Sequence, residues 1–174
     1  TEPGAGSDSA AMHTKIVKEG DKYIINGSKC FISNGPIANL ITVFGMTDTS
    51  KGAHGISGFI VETGTPGFSV AKWESKMGIK GSPTGELVFE NMEVPAENSI
   101  GEEGKGFIYA MKALDTSRPV IASQAVGLAQ GALDKAIAYA KDRVQFGRPI
   151  SKFQGLSLMM AEMAAKIEAA RALT

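Results

Sequence analysis

The spacing of the apolar residues changes near residue 100, and this change constrains the fold more than any other feature of the sequence. Before it, short apolar runs are separated by clusters of Gly, Pro, Asn, Asp and Ser, which is typical of β-strands. After it, apolar residues recur mainly at steps of three and four, which indicates amphipathic helices. The sequence therefore predicts an α+β protein, with a β domain over residues 1–100 and a helical domain over residues 101–174.

The first domain contains six runs with strand character. Thr14–Lys18 and Lys22–Asn26 flank Glu19-Gly20-Asp21, a short connection typical of a hairpin. The other four runs are Leu40–Phe44, Gly58–Glu62, Phe68–Ala71 and Glu86–Glu90. Short strands at this spacing favour an antiparallel barrel or sandwich.

The second domain is predicted to contain two long antiparallel helices of an incomplete bundle. The first begins near Phe107 and has a kink or a break near Arg118, because Pro119 lacks a backbone N–H. Phe146-Gly147-Arg148-Pro149 ends it, and the second runs from about Phe153 to the last residue. The predicted inward faces are Phe107, Met111, Leu114, Ile121, Ala125, Leu128, Ala132, Ile137 and Ala140, then Leu156, Met160, Met163, Ile167 and Ala170.

Composition argues against several classes of function. The 18 Lys and Arg residues equal the 18 Asp and Glu residues, which argues against a protein that coats nucleic acid or a membrane surface. Cys30 is the single cysteine, so no internal disulfide can form, and no apolar run approaches the ~20 residues that span a bilayer. His13 and His54 lack neighbours at metal-ligand spacing, so we expect no metal site.

Two stretches of the β domain could contact a ligand. Thr1–Asp8 is a turn with two glycines, whose backbone can approach a flat ligand closely. In 26–35, Phe31 and Ser33 would project from the same face of an extended strand. Each stretch by itself is more typical of an ordinary turn or strand end.

A third stretch lies on the first predicted helix. Leu114–Pro119 is a polar cluster in an otherwise apolar pattern, and Asp115 and Arg118 are spaced to pair. By itself this cluster is more typical of a capped helix kink.

Together, and in this order, these stretches resemble the acyl-CoA dehydrogenases. The resemblance is carried by TEPGAGSD, NGSKCFISNG, MGIKGSPTGELVFENMEVPAEN and the stretch from ALDTSRPV to GRPISKFQ. It corresponds to the family's middle β domain and the first part of its C-terminal helical domain, so we expect the chain to be a piece of a longer protein. The resemblance implies that FAD is bound between the two domains and oxidises an acyl-CoA thioester to the trans-2-enoyl-CoA, with electrons passing to an electron-transfer flavoprotein.

The resemblance also implies roles for individual residues. The flavin contacts fall on Thr1, Ser7, Phe31, Ile32 and Ser33. The acyl-CoA contacts fall on Ser7, Asp115, Ser117 and Arg118. The contacts to the pyrophosphate and adenosine of FAD fall on Arg143, Gln145, Phe146 and Gln154. Members of the family use this last group for the FAD of a neighbouring subunit, which implies a homo-oligomer, a dimer or a tetramer.

No catalytic base is expected within the chain. Most straight-chain members place a catalytic Glu beyond the segment that this chain matches, and a minority place it at the position of Ser117. A serine without an activating partner cannot replace a carboxylate base, so the chain by itself should not catalyse dehydrogenation.

Two alternatives and the compartment stay open from the sequence. One alternative is a flavin-dependent oxidase or monooxygenase of the same fold, which reacts with oxygen. The other is a non-catalytic relative that binds a ligand or acts as an oligomer scaffold. The bacterial cytoplasm is the preferred compartment, or the mitochondrial matrix if the protein is eukaryotic.

Overall fold

The computed structural model describes all 174 residues, which divide into two compact units, Thr1–Met111 and Lys112–Thr174. Six strands lie in the first unit. Five of the six predicted runs fall within one of them, and the sixth, Thr14–Lys18, begins one residue before β1. They are β1 Lys15–Glu19, β2 Lys22–Ser33, β3 Leu40–Met46, β4 Ile56–Glu62, β5 Phe68–Trp73 and β6 Thr84–Pro95. The remaining elements are α1 Gly106–Asp142, a two-stranded hairpin of β7 Val144–Gln145 and β8 Arg148–Pro149, and α2 Gln154–Leu173.

The six strands form one open sheet in the order β4-β3-β1-β2-β6-β5. Neighbouring strands are antiparallel, except that β1 and β3 are parallel where Lys15 pairs with Met46. The mixed α+β class is therefore confirmed. Of the predicted barrel or sandwich, the barrel is not closed, because the outer strands β4 and β5 do not pair with each other.

The outer edge of β4 is covered by the segment that follows β6. The backbone N–H of Ile100 donates to the carbonyl of Gly58 at 2.8 Å, and the Asn98 side-chain amide donates to the carbonyl of Ile60 at 3.0 Å. Covering an edge in this way satisfies its free backbone groups without closing the sheet into a barrel. Such pairing between distant segments leaves no periodic signal in the sequence.

The core of the first unit lies along β1, β2, β3, β4 and β6. Its buried members are Ile16, Tyr23, Ile25, Val43, Phe59, Val61, Leu87, Phe89, Met92 and Val94. The inward positions alternate along β6 until a bulge at Asn91, whose φ is +49°, inserts one residue opposite β2. The backbone N–H of Asn91 donates to Asn26 Oδ1 at 2.8 Å, so the bulge is held while Met92 and Val94 return to the core.

A kink or a break is predicted near Arg118, and the predicted break is wrong, because α1 continues through Pro119. Proline removes the N–H that would donate to the carbonyl four residues earlier, and two hydroxyl groups beside it donate to other carbonyls of the helix. Thr116 Oγ1 donates to the carbonyl of Lys112 at 2.9 Å, and Ser123 Oγ donates to the carbonyl of Pro119 at 3.0 Å.

In the second unit, α1 and α2 pack through a narrower stripe than the sequence predicts. Val126, Leu133 and Ile167 are buried, with Ile137, Met160, Ala164 and Ala170 packed around them. The predicted inward position Leu128 is wrong for this chain, because its side chain is 78% exposed. A single neighbouring helix covers one face of α1, and periodicity alone does not say which apolar face that is. Neither long helix is apolar enough to cross a membrane.

Gly55, between β3 and β4, provides a test of the close packing in the first unit. A Cβ atom there would lie 1.7 Å from the backbone oxygen of Asp48, which cannot move independently of the turn. We expect Gly55→Ala to destabilise the fold by about 3 kcal/mol, which lowers the melting temperature by roughly 6–12 °C. Gly64→Ala, where a Cβ meets no atom within 4 Å, is the matched control and should shift it by about 1 °C at most. Equal melting temperatures for the two variants would contradict this packing.

Candidate functional site

The glycine-containing turn Thr1–Asp8 is anchored by the buried carboxylate of Glu2. Glu2 Oε1 accepts hydrogen bonds from Lys29 Nζ at 2.7 Å, from Thr14 Oγ1 at 2.6 Å and from the backbone N–H of Thr14 at 3.1 Å. Oε2 accepts from the backbone N–H of His13. The carboxylate thereby joins the turn to the start of β1 and to the middle of β2.

This ion pair is shielded from solvent, with the side chains of Lys29 and Glu2 only 10% and 5% exposed. Burial by itself would raise the pKa of Glu2, but the hydrogen bonds from Lys29, Thr14 and His13 outweigh it and hold the pKa at about 2. Burial also lowers the pKa of Lys29, against the opposing effect of Glu2. Removing one partner of such a pair costs about 3–5 kcal/mol, since it leaves the other charge buried and unpaired.

Gly27 allows Thr14 to reach the carboxylate. Its φ is +150°, and a Cβ there would lie 2.6 Å from Thr14 Oγ1 and 2.8 Å from Thr14 Cα. Only glycine lets β2 approach Thr14 this closely, so the residue contributes to the site through its missing side chain.

The backbone of β2 departs from an extended strand at Phe31. Phe31 has a φ of +58°, and the pairing with β6 shifts by one residue between Lys29 and Ile32. This is a β-bulge with a bulky residue in the left-handed region, a strained arrangement that clusters at functional sites. The prediction that Phe31 and Ser33 share one face of an extended strand is wrong, because the backbone at Phe31 is not extended. Both side chains are exposed.

The bulge presents an aromatic ring to solvent beside the anchored turn. The Phe31 side chain is 66% exposed, and the N–H of its neighbour Cys30 donates to the carbonyl of Thr1 at 2.8 Å. Ile32 instead packs against the buried core, so its side chain supports the bulge from beneath. The structure therefore brings Thr1 and Phe31 together at the end of β2. Ser7 is exposed in the same turn.

The turn after Ser33 is held by the segment that precedes β6. The N–H of Asn34 donates to the carbonyl of Pro83, and Ser82 Oγ donates to Asn34 Oδ1 at 3.0 Å. Gly35 is buried, and a Cβ there would meet Ile32 and Leu87 at about 3 Å. The strained bulge is therefore bounded by fixed elements on both sides.

In the second unit, the predicted acyl-CoA residues lie on the exposed surface of α1. Arg118 Nη1 lies 3.4 Å from Asp115 Oδ1, and both side chains are more than two-thirds exposed. Ser117 Oγ donates to the carbonyl of Leu114 at 3.1 Å. The Asp115–Arg118 pair can exchange its partners for a ligand at little cost, because exposed ion pairs contribute only about 0–1 kcal/mol.

The β7–β8 hairpin carries two of the four other predicted residues, Gln145 and Phe146. Its two central residues, Phe146 and Gly147, have φ values of +53° and +75°, as a type I′ turn requires. Phe146 is 92% exposed and meets the Phe153 ring edge-on at 6.1 Å, while the guanidinium of Arg148 lies 4.3 Å from the centre of that ring. The turn therefore projects an aromatic side chain into solvent.

Arg143 immediately precedes this hairpin, Gln145 lies in β7, and Gln154 begins α2 after it. Arg143 is exposed and takes part in no ion pair, so its guanidinium can bind an external anion. The side-chain amide of Gln145 donates to the carbonyl of Val144 at 2.7 Å, and Gln154 is the exposed first residue of α2.

Glu2, Thr14 and Lys29 are absent from the residues predicted by sequence. A weak signal exists, because Lys29 stands at a position in β2 that alternation turns inward, where a lysine needs a buried partner. The partner is 27 residues away in a turn, and no periodicity connects the two.

Comparison with known proteins agrees with these features. The family model "Acyl-CoA dehydrogenase, middle domain" matches residues 1–92, and "Acyl-CoA dehydrogenase, C-terminal domain" matches residues 104–174. The chain is 57% identical to cyclohex-1-ene-1-carbonyl-CoA dehydrogenase of Syntrophus aciditrophicus over 173 residues, which cover 99% of this chain and 42% of that protein.

Two solved structures have the same fold as this chain. One is butyryl-CoA dehydrogenase from Megasphaera elsdenii, with a TM-score of 0.94 and 55% identity, covering 99% of this chain and 45% of that one. The other belongs to the structural work on the electron transferring flavoprotein of Acidaminococcus fermentans, with a TM-score of 0.94 and 58% identity, covering 99% and 46%.

The chain thus spans less than half the length of each of these three relatives. The resemblance predicted from the sequence is confirmed, since the two family models together match nearly the whole chain. The chain belongs to the acyl-CoA dehydrogenase family, whose members are FAD-dependent oxidoreductases.

Proposed function

We propose that the protein containing this chain binds FAD and oxidises an acyl-CoA thioester to the trans-2-enoyl-CoA, as a step of fatty-acid β-oxidation. The observation that carries the proposal is the exposed, left-handed Phe31 beside the anchored Thr1–Asp8 turn, in a chain of this family. The Phe31 ring faces solvent and so does not contribute to the core. Strained residues of this kind cluster at functional sites.

The residues of the first unit fit the flavin end of FAD. Phe31 offers a flat apolar surface, and Ser33 offers an exposed hydroxyl two residues later. Gly4 and Gly6 leave open space around the turn, since a Cβ at either would meet no atom within 4 Å. When bound, FAD supplies the acceptor for the hydride that leaves the β-carbon. The chain's own residues bind and orient the ring, with Thr1 and Ser7 as the proposed polar contacts.

The residues of the second unit fit the adenosine diphosphate end. Arg143 presents a guanidinium with no protein partner, which suits paired hydrogen bonds to phosphate oxygens. Phe146, Gln145 and Gln154 add an exposed ring and two amides around the hairpin. We assign this group to the FAD of a neighbouring subunit, so the protein is a homo-oligomer, a dimer or a tetramer.

The acyl-CoA contacts are assigned to Ser7, Asp115, Ser117 and Arg118. Ser117 has a single hydrogen bond, to a backbone carbonyl, and no carboxylate or imidazole that could activate it. Ser117 is therefore not assigned as the base. As the resemblance to the family implies, we assign the base that removes the α-proton to a carboxylate outside this chain and expect the chain alone to be inactive. The names of the relatives support a small acyl group, butyryl in one and a cyclohexene carboxylate in another.

An electron-transfer flavoprotein is the proposed electron acceptor. The support is the 58% identity to a chain from the structural work on such a flavoprotein of Acidaminococcus fermentans. The bacterial source of the relatives supports a bacterial cytoplasmic location.

The full-length protein should purify yellow, with FAD bound. Anaerobic addition of butyryl-CoA should bleach the flavin absorbance near 450 nm, since the substrate reduces the cofactor. Reoxidation should be fast with an electron-transfer flavoprotein and slow in air. A colourless protein that ignores added FAD would contradict the proposal, and fast reoxidation in air would replace it with an oxidase.

Replacing Arg118 tests the acyl-CoA contacts. Loss of a charged hydrogen bond to the substrate costs about 1.5–3 kcal/mol, so Arg118→Ala should raise the KM for acyl-CoA about tenfold or more. The kcat should stay within about twofold, because the contact binds substrate and transition state alike. Lys166→Ala is the control, since Lys166 forms a similarly exposed pair with Glu162 four residues away on α2, at 2.6 Å. Equal KM values for the two variants would argue against the assignment.

Replacing Arg143 tests the pyrophosphate contact. Arg143→Gln should raise the Kd for FAD about tenfold or more, by the loss of paired charged hydrogen bonds. Lys141→Gln makes the same change of charge two residues away on the last turn of α1 and should leave the Kd within about twofold. Fluorescence titration of the apoprotein with FAD measures both values, and an unchanged Kd in Arg143→Gln would remove this residue from the site.

A further inference from the structure

We propose that Glu2 and Lys29 are a positioning pair for the flavin site, which set where the Thr1–Asp8 turn lies against the bulge at Phe31. The inference rests on the proposed function and goes beyond it, since neither residue is among the proposed ligand contacts. Both side chains are buried, and their Oε1–Nζ distance is 2.7 Å.

The pair is connected to the proposed contacts by short backbone links. Glu2 follows Thr1, and Lys29 is two residues before Phe31. Between these positions, the N–H of Cys30 donates to the carbonyl of Thr1 at 2.8 Å. The ion pair and this backbone hydrogen bond therefore connect the turn to β2 at two points, immediately before the strand bulges.

The Glu2 carboxylate also holds the segment that precedes β1. Thr14 and His13 donate their backbone N–H groups to Glu2, so the residues preceding β1 are held by the same side chain. The Glu2 side chain thus has four donors from three residues, on two segments of the sheet. A rigid supporting shell of this kind holds contact residues within the small tolerance that a reaction requires.

A stabilising role and a positioning role predict different behaviour when both charges are removed. A buried ion pair can be replaced by uncharged residues with little loss of stability, whereas removing one partner leaves an unpaired charge. If the pair only stabilises the fold, the double variant recovers everything that the single variants lose. If the pair positions the turn, the double variant recovers stability but not the geometry of the site.

The test uses the full-length holoprotein with four variants: Glu2→Gln, Lys29→Met, their double combination and Lys22→Met. The last is the control, because Lys22 forms an ion pair with Glu93 at 2.6 Å at the opposite end of β2, on the surface. For each variant, the melting temperature, the Kd for FAD, and the kcat and KM for butyryl-CoA are measured.

We expect both single variants to melt at a lower temperature and to have a Kd for FAD that is about tenfold higher or more. The kcat should fall by a similar factor, because a displacement of about 1 Å can cost about 100-fold in rate. The double variant should regain most of the melting temperature while FAD affinity and kcat stay low. Lys22→Met should match the wild type within about twofold.

A double variant that regains wild-type FAD affinity and kcat would overturn the positioning role, as would single variants that bind FAD normally. If the variants that remove a charge do not fold, Thr14→Val is used instead, because it keeps both charges and removes one donor to Glu2 Oε1. It should shift the same quantities in the same direction by a smaller factor. Unchanged values in Thr14→Val would then overturn the proposal. A wild-type protein that binds no FAD would instead overturn the proposed function itself.

Discussion

The burial of the Glu2 carboxylate is the constraint on which the arrangement of the first unit depends. A charge removed from water is stable only when hydrogen bonds and an opposite charge replace its hydration. His13 and Thr14, in the segment before β1, and Lys29, on β2, provide them together. The carboxylate can therefore be satisfied in only one position of the turn, and this position places Thr1 beside β2.

Two bulges in the pairing of β2 with β6 have opposite effects on side-chain direction. The bulge at Asn91 restores the alternation, so that Met92 and Val94 remain in the core. The bulge at Phe31 instead leaves a large ring in solvent, and a left-handed conformation at such a residue costs about 1–3 kcal/mol. The first bulge keeps apolar side chains of β6 buried. The cost of the second is offset only when a ligand covers the ring.

Local features of the fold could be predicted from the sequence, whereas features that depend on distant segments could not. The strands were located by runs such as Leu40–Phe44, because alternation and turn residues are local signals. The sequence predicts that the run beginning at Lys22 ends at Asn26, but β2 continues to Ser33, because residues 27–33 pair with β6, which lies far along the chain. The covering of the outer edge of β4 likewise depends on residues near Ile100, about 40 positions along the chain.

The same distinction applies to the candidate site. Phe31, Arg118 and Arg143 came from motifs whose order along the chain resembles one family, so contiguous sequence was sufficient to find them. The Glu2–Lys29 pair joins a turn to a strand and is visible only once the fold brings them together. The helix faces show a related limit, because α1 has apolar residues on several faces and the sequence does not say which one α2 covers.

We propose that the anchored turn and the bulge of β2 form the platform for the flavin. A crystal structure of the full-length protein with FAD bound tests this proposal. We expect the isoalloxazine ring to contact the Phe31 side chain and the Thr1–Asp8 turn, with the Glu2–Lys29 ion pair intact beneath them. A flavin bound elsewhere, with Phe31 still facing solvent, would contradict the proposal.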